Sequence, residues 1–261
     1  MRLRKLIYKI LNSQIIRRLR NFSRIKPAFF SFDYEKNYIA SDLFIWRNDN
    51  GFETVFKASN IMQKYYNADS YLKFIFFSNN GEFLFEFNQE FEDKFINLKF
   101  DSKLFKKNSY GTFCAFNFPK KIIDFEVNIT NRCYLGYKKN NSVSMAHGNL
   151  VSQMIKVDKQ GNFDIKNLQP AVISNRYKSK YIIQKPFKSS YTNYLLFTNP
   201  TLRNIKITIN SDKLEIFPRG CIIYKLSSFD ENKPIEIKSD FFFSRPYVIS
   251  EKGNFFDFHH G

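Results

Sequence analysis

The stretch Arg245–Gly261 reads R-P-Y-V-I-S-E-K-G-N-F-F-D-F-H-H-G, and it has a counterpart earlier in the chain. Arg132–Gly148 reads R-C-Y-L-G-Y-K-K-N-N-S-V-S-M-A-H-G, so both stretches follow the frame R-x-Y-x12-H-G. Each stretch places a Gly or an Asn between two apolar runs, which is typical of a β-hairpin. The repeated frame therefore predicts two hairpins built on one plan, and with them an internal duplication of the chain.

The position of each turn sets which residues of a hairpin face each other. A turn at Lys252-Gly253 places Arg245 directly opposite His260, and a turn at the equivalent point of the first stretch places Arg132 opposite His147. The tyrosine of each frame lies two residues after the arginine and so shares its strand face. Each hairpin is thus predicted to display Arg, Tyr and His together.

This side-chain combination favours an anion over a metal ion. A guanidinium beside an imidazole disfavours the charged imidazolium, and its positive charge repels a metal cation. Arginine also offers a planar fork of donors to a carboxylate or a phosphate. The predicted site for a small anionic or sugar-like ligand consists of Arg132, Tyr134, His147, Arg245, Tyr247 and His260.

The same residues have a structural interpretation. Arg, Tyr and His at a strand end often form a cluster that stabilises the fold, and duplicated units often touch through equivalent surfaces. Because a motif match without its structural context is weak, this interpretation takes precedence at the sequence level.

Charge is concentrated at the beginning of the sequence. The net charge is +17 over 261 residues, and the first 32 residues carry nine Lys or Arg and no acidic residue. Residues 2–24 have helical periodicity with an apolar face and a basic face, which predicts a basic amphipathic helical segment. The residues expected to contact an anionic membrane or a protein partner are Arg2, Arg4, Lys5, Lys9, Arg17, Arg18, Arg20 and Arg24.

The cysteines and the hydropathy pattern bear on the compartment. The three cysteines, Cys114, Cys133 and Cys221, form no C-x-x-C motif, which favours a reducing compartment. No apolar run reaches the roughly 18 residues of a membrane span, and no secretory signal is recognised. We therefore expect a cytoplasmic protein, with peripheral membrane association through residues 2–24.

From Asp33 onward the pattern changes to short strands separated by turns, which is typical of β-sandwiches. Asn-Gly signals predict hairpins around Asn48–Gly51 and Asn79–Gly81, and Trp46 is expected in the core. The predicted fold is mainly β, with two small antiparallel β-sandwich-like units. The predicted boundaries are 1–32 for the helical segment, 33–148 for the first unit, 149–190 for a connecting region and 191–261 for the second unit.

The sequence carries no motif for a nucleotide, a catalytic triad or a metal, so we expect no catalytic residue, no cofactor and no metal ligand. The first functional hypothesis is a non-catalytic binding or interaction protein whose ligand is a carbohydrate or another anionic polar molecule. The second is an enzyme acting on an anionic or sugar substrate at the interface of the two units. The third is nucleic-acid binding through the basic surface, which predicts a steep loss of affinity with salt.

Overall fold

The computed structural model describes residues 10, 13, 15–16, 19, 38–100, 104–105, 108–121, 133–157, 164–172, 176–183, 187–227 and 229–261. These residues are mainly β and contain one α-helix. The predicted helical segment 1–32 lies outside them, apart from isolated positions such as Ile15 and Leu19, whose backbone is helical. The predicted domain boundaries stay a prediction.

The described strands fall into two series separated by a short middle region. The first series is β1 (Tyr38–Asp42), β2 (Phe44–Asn48), β3 (Glu53–Ser59), β4 (Ser70–Ser78), β5 (Phe83–Glu90), β6 (Phe95–Phe100), β7 (Ser109–Pro119), β8 (Tyr134–Lys139) and β9 (Ser142–His147), with helix α1 (Ile61–Tyr66) between β3 and β4. The middle region holds β10 (Val151–Lys156), a 3-10 turn (Ile165–Asn167) and β11 (Leu168–Pro170). The second series is β12 (Ser179–Ile183), β13 (Thr192–Thr198), β14 (Ile205–Ile209), β15 (Asp212–Ile216), β16 (Cys221–Lys225), β17 (Ile235–Ser239), β18 (Tyr247–Lys252) and β19 (Phe255–His260).

The strands pair into five small antiparallel sheets in an arrangement that resembles a five-bladed β-propeller. The first series makes sheets in the orders β2-β7-β4-β5 and β6-β3-β8-β9, and the second makes β12-β17-β14-β15 and β16-β13-β18-β19. Strands β1, β10 and β11 form the fifth sheet. The two series have the same topology, because adding ten to each strand number of the first gives the second. This repetition supports an internal repeat beyond the sequence frame.

The prediction of two separate sandwich units is wrong, because the two series share a core. Sheet β16-β13-β18-β19 buries both faces, as neighbouring residues of its strands point in opposite directions. Leu196 and Ile249 pack into the core of the first series, whereas Leu195 and Val248 pack into the core of the second. A sandwich that stands alone would leave one face of this sheet to solvent.

The two predicted Asn-Gly hairpins have different outcomes. Strands β4 and β5 pair around Asn79–Gly81, as predicted. Strands β2 and β3 flank Asn48–Gly51 but lie in different sheets, since β2 pairs with β7 and β3 pairs with β6 and β8. Asn50 and Gly51 adopt positive φ angles of 51° and 76°, so the Asn-Gly pair does form a turn, as predicted. It did not fix which strands would pair.

The predicted core residues are buried. Trp46 is 2% exposed, donates its Nε1 hydrogen to the Phe77 carbonyl oxygen at 3.0 Å and stacks on Phe105. All three cysteines are buried as free thiols. Burial raises the pKa of the Cys114 thiol and that of the Cys221 thiol, so both stay protonated and behave as small hydrophobic side chains.

Candidate functional site

Hairpins β8–β9 and β18–β19 form as predicted, but their registers differ from the prediction. In β8–β9 the residue opposite His147 is Tyr134, and in β18–β19 the residue opposite His260 is Tyr247. A tyrosine, and not an arginine, is therefore the partner of each histidine. Each turn lies one residue later than predicted, at 140–141 and at 253–254, since the last paired residues of each hairpin immediately flank these positions.

The two hairpins bring the histidines of both frames together. The Nε2 atom of His260 lies 3.2 Å from the Nδ1 atom of His147, and the ring centroids are 4.4 Å apart. Tyr247 stacks on His260 with 5.0 Å between ring centroids, and its hydroxyl donates to the His147 carbonyl oxygen at 3.3 Å. These three residues form a contact between the hairpins, and Tyr134 lies across from His147 with an exposed side chain.

Arg245 has its hydrogen bonds outside this contact. Arg245 donates its Nε hydrogen to the Gly261 carbonyl oxygen at 3.1 Å, and its own carbonyl oxygen accepts from the Asn149 amide at 2.9 Å. Tyr181 also donates to the Gly261 carbonyl oxygen, at 2.5 Å. Arg245 thus ties chain segments together. Arg132 and the eight basic residues predicted between positions 2 and 24 lie outside the described residues.

A surface cleft of about 460 Å³ opens at the other end of the second hairpin. It lies next to the turn of β18–β19, so it is roughly 17 Å from the histidine contact, the distance between the two ends of the six-residue strand β19. Aromatic rings and polar side chains alternate around it. The lining residues are Phe187, Lys188, Tyr191, Asn193, Ser250, Lys252, Phe255, Phe256 and Asp257.

Buried hydrogen bonds build the floor of the cleft. Asn193 on β13 is 1% exposed and donates its side-chain amide to the carbonyl oxygens of Lys188 and Tyr191 at 3.1 and 3.2 Å. Its Oδ1 atom accepts from the Ser250 hydroxyl at 2.8 Å. The backbone amide of Ser189 donates to Glu231 at 2.6 Å. The loop that carries Lys188 and Tyr191 is therefore held against the sheet, which gives the cleft a defined shape.

The rim of the cleft carries an exposed ring and a cation. Phe255 is 76% exposed and pairs directly with Lys252 across the hairpin. The Lys252 Nζ atom lies 5.3 Å from the centre of the Tyr191 ring, within the range of a cation–π interaction. Asp257 contributes a carboxylate whose Oδ2 atom is 3.2 Å from His259 Nδ1. The arrangement offers apolar ring faces, positive charge and a hydrogen-bond acceptor to one ligand.

Sequence reasoning missed this cleft. Residues 187–193 lie about sixty positions before the turn of β18–β19, and nothing in their composition indicates that they fold beside it. One signal was present in the pair Phe255-Phe256. Neighbouring residues of a strand point to opposite faces, so only one of two consecutive phenylalanines can enter the same core. Phe256 packs edge-on against Phe52 at 5.1 Å, and Phe255 faces outward.

In the part of the chain that the structure describes, no three His, Cys, Asp or Glu side chains are grouped closely enough to hold a metal ion. Within the same residues, no helix is both long enough and apolar enough to cross a membrane. No known protein-family model matches the sequence, and no curated protein is significantly similar to it. The geometry of the cleft is therefore the basis for a functional interpretation.

Proposed function

We propose that this protein is a non-catalytic binding protein that takes a carbohydrate or another polar, anionic molecule in the cleft beside the β18–β19 turn. The observation that carries the proposal is a cleft of about 460 Å³ that combines aromatic rings with two lysines and a carboxylate. Ligand sites of small molecules typically measure about 300–1,000 Å³ and combine apolar walls with a few polar groups. The β-rich fold supplies a rigid frame for such a site.

The contact between the histidines supports a binding protein better than an enzyme. A general base needs a ring nitrogen that reaches the substrate. The His147 Nδ1 atom lies 2.7 Å from the Gly148 carbonyl oxygen and 3.2 Å from His260, so its neighbours within the protein already occupy it. One ring nitrogen of each histidine of the enzyme hypothesis is thus engaged in the contact between the two hairpins.

The remaining expectations concern residues outside the described structure. Contact of residues 2–24 with an anionic membrane or a protein partner, peripheral attachment in the cytoplasm and nucleic-acid binding stay predictions. The steep salt dependence of nucleic-acid binding separates the third hypothesis from binding in the cleft, because a small ligand with one anionic group loses far less affinity in salt than a nucleic acid with many phosphate contacts.

Saturation-transfer NMR with neutral sugars, hexuronic acids and hexose phosphates tests the proposal on the full chain. We expect at least one sugar to give a signal that Tyr191→Ala and Phe255→Ala both weaken. Phe95→Ala is the matched control, since Phe95 is an aromatic residue on β6, 63% exposed and outside the cleft. The proposal fails if no compound of the panel binds, or if the control reduces the signal as much as the cleft variants do.

A further inference from the structure

The orientation of the second hairpin leaves one aromatic ring without a place in the protein core. Phe255 has the largest exposed fraction, 76%, of the large hydrophobic side chains in the described residues. Its neighbours are the Gly253-Asn254 turn and its paired residue Lys252. An exposed aromatic ring at the rim of a cleft costs solvation free energy and provides a flat apolar surface to a ligand. The apolar C–H face of a pyranose ring matches that surface.

The charges of the cleft indicate which polar group a ligand needs besides its apolar ring face. Lys252 makes a cation–π contact with the Tyr191 ring. Among the described residues, no carboxylate lies within ion-pair distance of its ammonium group. Lys188 is exposed and lies near Glu231, which also accepts the Ser189 amide. The positive charge of Lys252 is therefore available to a ligand. A carboxylate or a phosphate is the complementary group for a lysine ammonium.

The cleft also holds an acceptor for hydroxyl groups. Asp257 has a side chain that is 62% exposed, and it lines the cleft opposite Ser250 in the hairpin register. Ser250 is 8% exposed and its hydroxyl donates to Asn193, so the more exposed carboxylate of Asp257 is the acceptor that the cleft presents to a ligand hydroxyl. One face for a ring, one cation and one hydroxyl acceptor are thus present in a single cleft.

We infer that the ligand of this cleft is a pyranose sugar that carries an anionic group, stacked on Phe255, with its carboxylate or phosphate at Lys252 and a hydroxyl at Asp257. This inference rests on the proposed binding function and narrows it from polar molecules in general to acidic sugars.

Isothermal titration of the full chain with glucuronate, glucose 6-phosphate, glucose and inorganic phosphate tests the inference. We expect at least one acidic sugar to bind at least about tenfold more tightly than glucose, as loss of a charge-assisted contact of this kind corresponds to about 1.4 kcal/mol or more. Inorganic phosphate alone should bind more weakly than the acidic sugar, because it gains nothing from the Phe255 ring.

Two variants and a control separate the contributions. Lys252→Gln should reduce the affinity for the acidic sugar about tenfold or more and leave any glucose binding unchanged, whereas Phe255→Ala should weaken both sugars. Lys57→Gln removes an exposed lysine of β3 outside the cleft and should change neither affinity. Thermal melting of each variant verifies that it is folded before its affinity is compared.

The outcomes distinguish the inference from the function on which it rests. If glucose and an acidic sugar bind equally, or if Lys252→Gln has no effect, the cleft binds neutral sugars, and the inference is wrong while the proposed function stands. If inorganic phosphate binds as tightly as the acidic sugars, the cleft recognises an anion alone, which also overturns the inference. If neither sugars nor phosphate bind, both the inference and the proposed function fail.

Discussion

Hairpins β8–β9 and β18–β19 are two copies of one local design. Both have tyrosine opposite histidine, and both are closed by the same backbone hydrogen bond beyond the last pair. Gly148 donates to the Cys133 carbonyl oxygen at 3.2 Å, and Gly261 donates to the Pro246 carbonyl oxygen at 2.9 Å. The number of residues between tyrosine and histidine, and between the two residues of the closing hydrogen bond, is the same in both hairpins. The repeated frame therefore specifies the register and the closure of a hairpin.

The two copies differ in what covers them. Tyr134 is 56% exposed, whereas Tyr247 is 2% exposed and packs against Phe258 and His260. The sheet of the second hairpin lies between two cores, but the tyrosine of the first hairpin faces solvent. The same residue in the same frame is thus part of the core in one copy and part of the surface in the other. Local sequence determines the hairpin, and the neighbouring sheets determine the role of each side chain.

The largest expected effect comes from truncating the two tyrosines. Tyr247→Ala should lower the free energy of unfolding by about 3–5 kcal/mol, as is usual for a buried aromatic residue, while Tyr134→Ala should cost less than about 1 kcal/mol. Urea denaturation followed by circular dichroism measures both. Tyr247→Phe is the control for the hydroxyl, and it should retain most of the stability. Equal losses for the two alanine variants would show that burial does not distinguish the copies.

The turn residues give the next effect. Gly253 has a φ of 59°, and a Cβ atom built there meets no other atom within 4 Å, so Gly253→Ala tests the backbone conformation alone. We expect a loss of about 1–2 kcal/mol. Asn140 holds the equivalent position of the first copy with a φ of 53°. Gly253→Asn should therefore cost clearly less than Gly253→Ala, because Asn tolerates this region. A thermal melt in which Asn and Ala cost the same would contradict the equivalence of the turns.

An ion pair between the copies should give a smaller effect. Lys139 of the first hairpin lies 2.7 Å from Glu251 of the second, and their side chains are 23% and 14% exposed. A double-mutant cycle with Lys139→Gln and Glu251→Gln should show a coupling of about 1 kcal/mol that decreases in high salt. Each single variant should cost more than the coupling alone, since Lys139 also lies 4.5 Å from the centre of the Phe52 ring and Glu251 also accepts a hydrogen bond from Tyr194. Strictly additive losses would mean that the pair does not join the copies.

The smallest effect appears only at alkaline pH and concerns a tyrosine of the second series of strands. Burial and the hydrogen bond to Asp212 raise the pKa of Tyr224 to about 12, from an ordinary value near 10. The folded state holds this proton more tightly than the unfolded state. The resulting stability is fully present below pH 10 and is lost as the pH rises towards 12. Urea titrations at pH 8, 10 and 11 should show the wild type losing stability relative to Tyr224→Phe, and parallel curves would refute the assignment.

The sequence predicted elements better than it predicted partners. Alternating apolar residues and turn signals located most strands, and the repeated frame located both hairpins. Each turn lies one residue later than predicted, which shifts the residue opposite each histidine by two positions. The sequences Lys-Asn-Asn and Lys-Gly-Asn each allow both turn positions, and the positive φ angles of Asn140 and Gly253 fit the later one. The pairing of β2 with β7 depends on residues that lie more than sixty positions away, which no local pattern specifies.

In the candidate site, too, local features could be predicted and contacts between distant segments could not. The meeting of His147 and His260 agrees with the expectation that equivalent surfaces of a duplicated chain touch. The predicted position of Arg245 opposite His260 was wrong because the turn lies one residue later, and the contacts of Arg245 are to Gly261 and Asn149. The sequence did not indicate the cleft as a whole, since its lysines and rings come from residues 187–191 and from the β18–β19 hairpin, which only the packing of sheet β16-β13-β18-β19 brings together.

The shared core also means that the core of the first series cannot be completed until the second series has been translated. Leu196, Ile249 and Phe258 complete the core of the first series, yet they are translated long after its own strands. At about 5–20 residues per second, the interval between the two hairpins lasts roughly 5–20 s. During that interval the nascent chain carries a phenylalanine-rich core with one side open. We expect chaperones to bind at this stage, and we expect translation that stops before β18 to leave an aggregation-prone fragment.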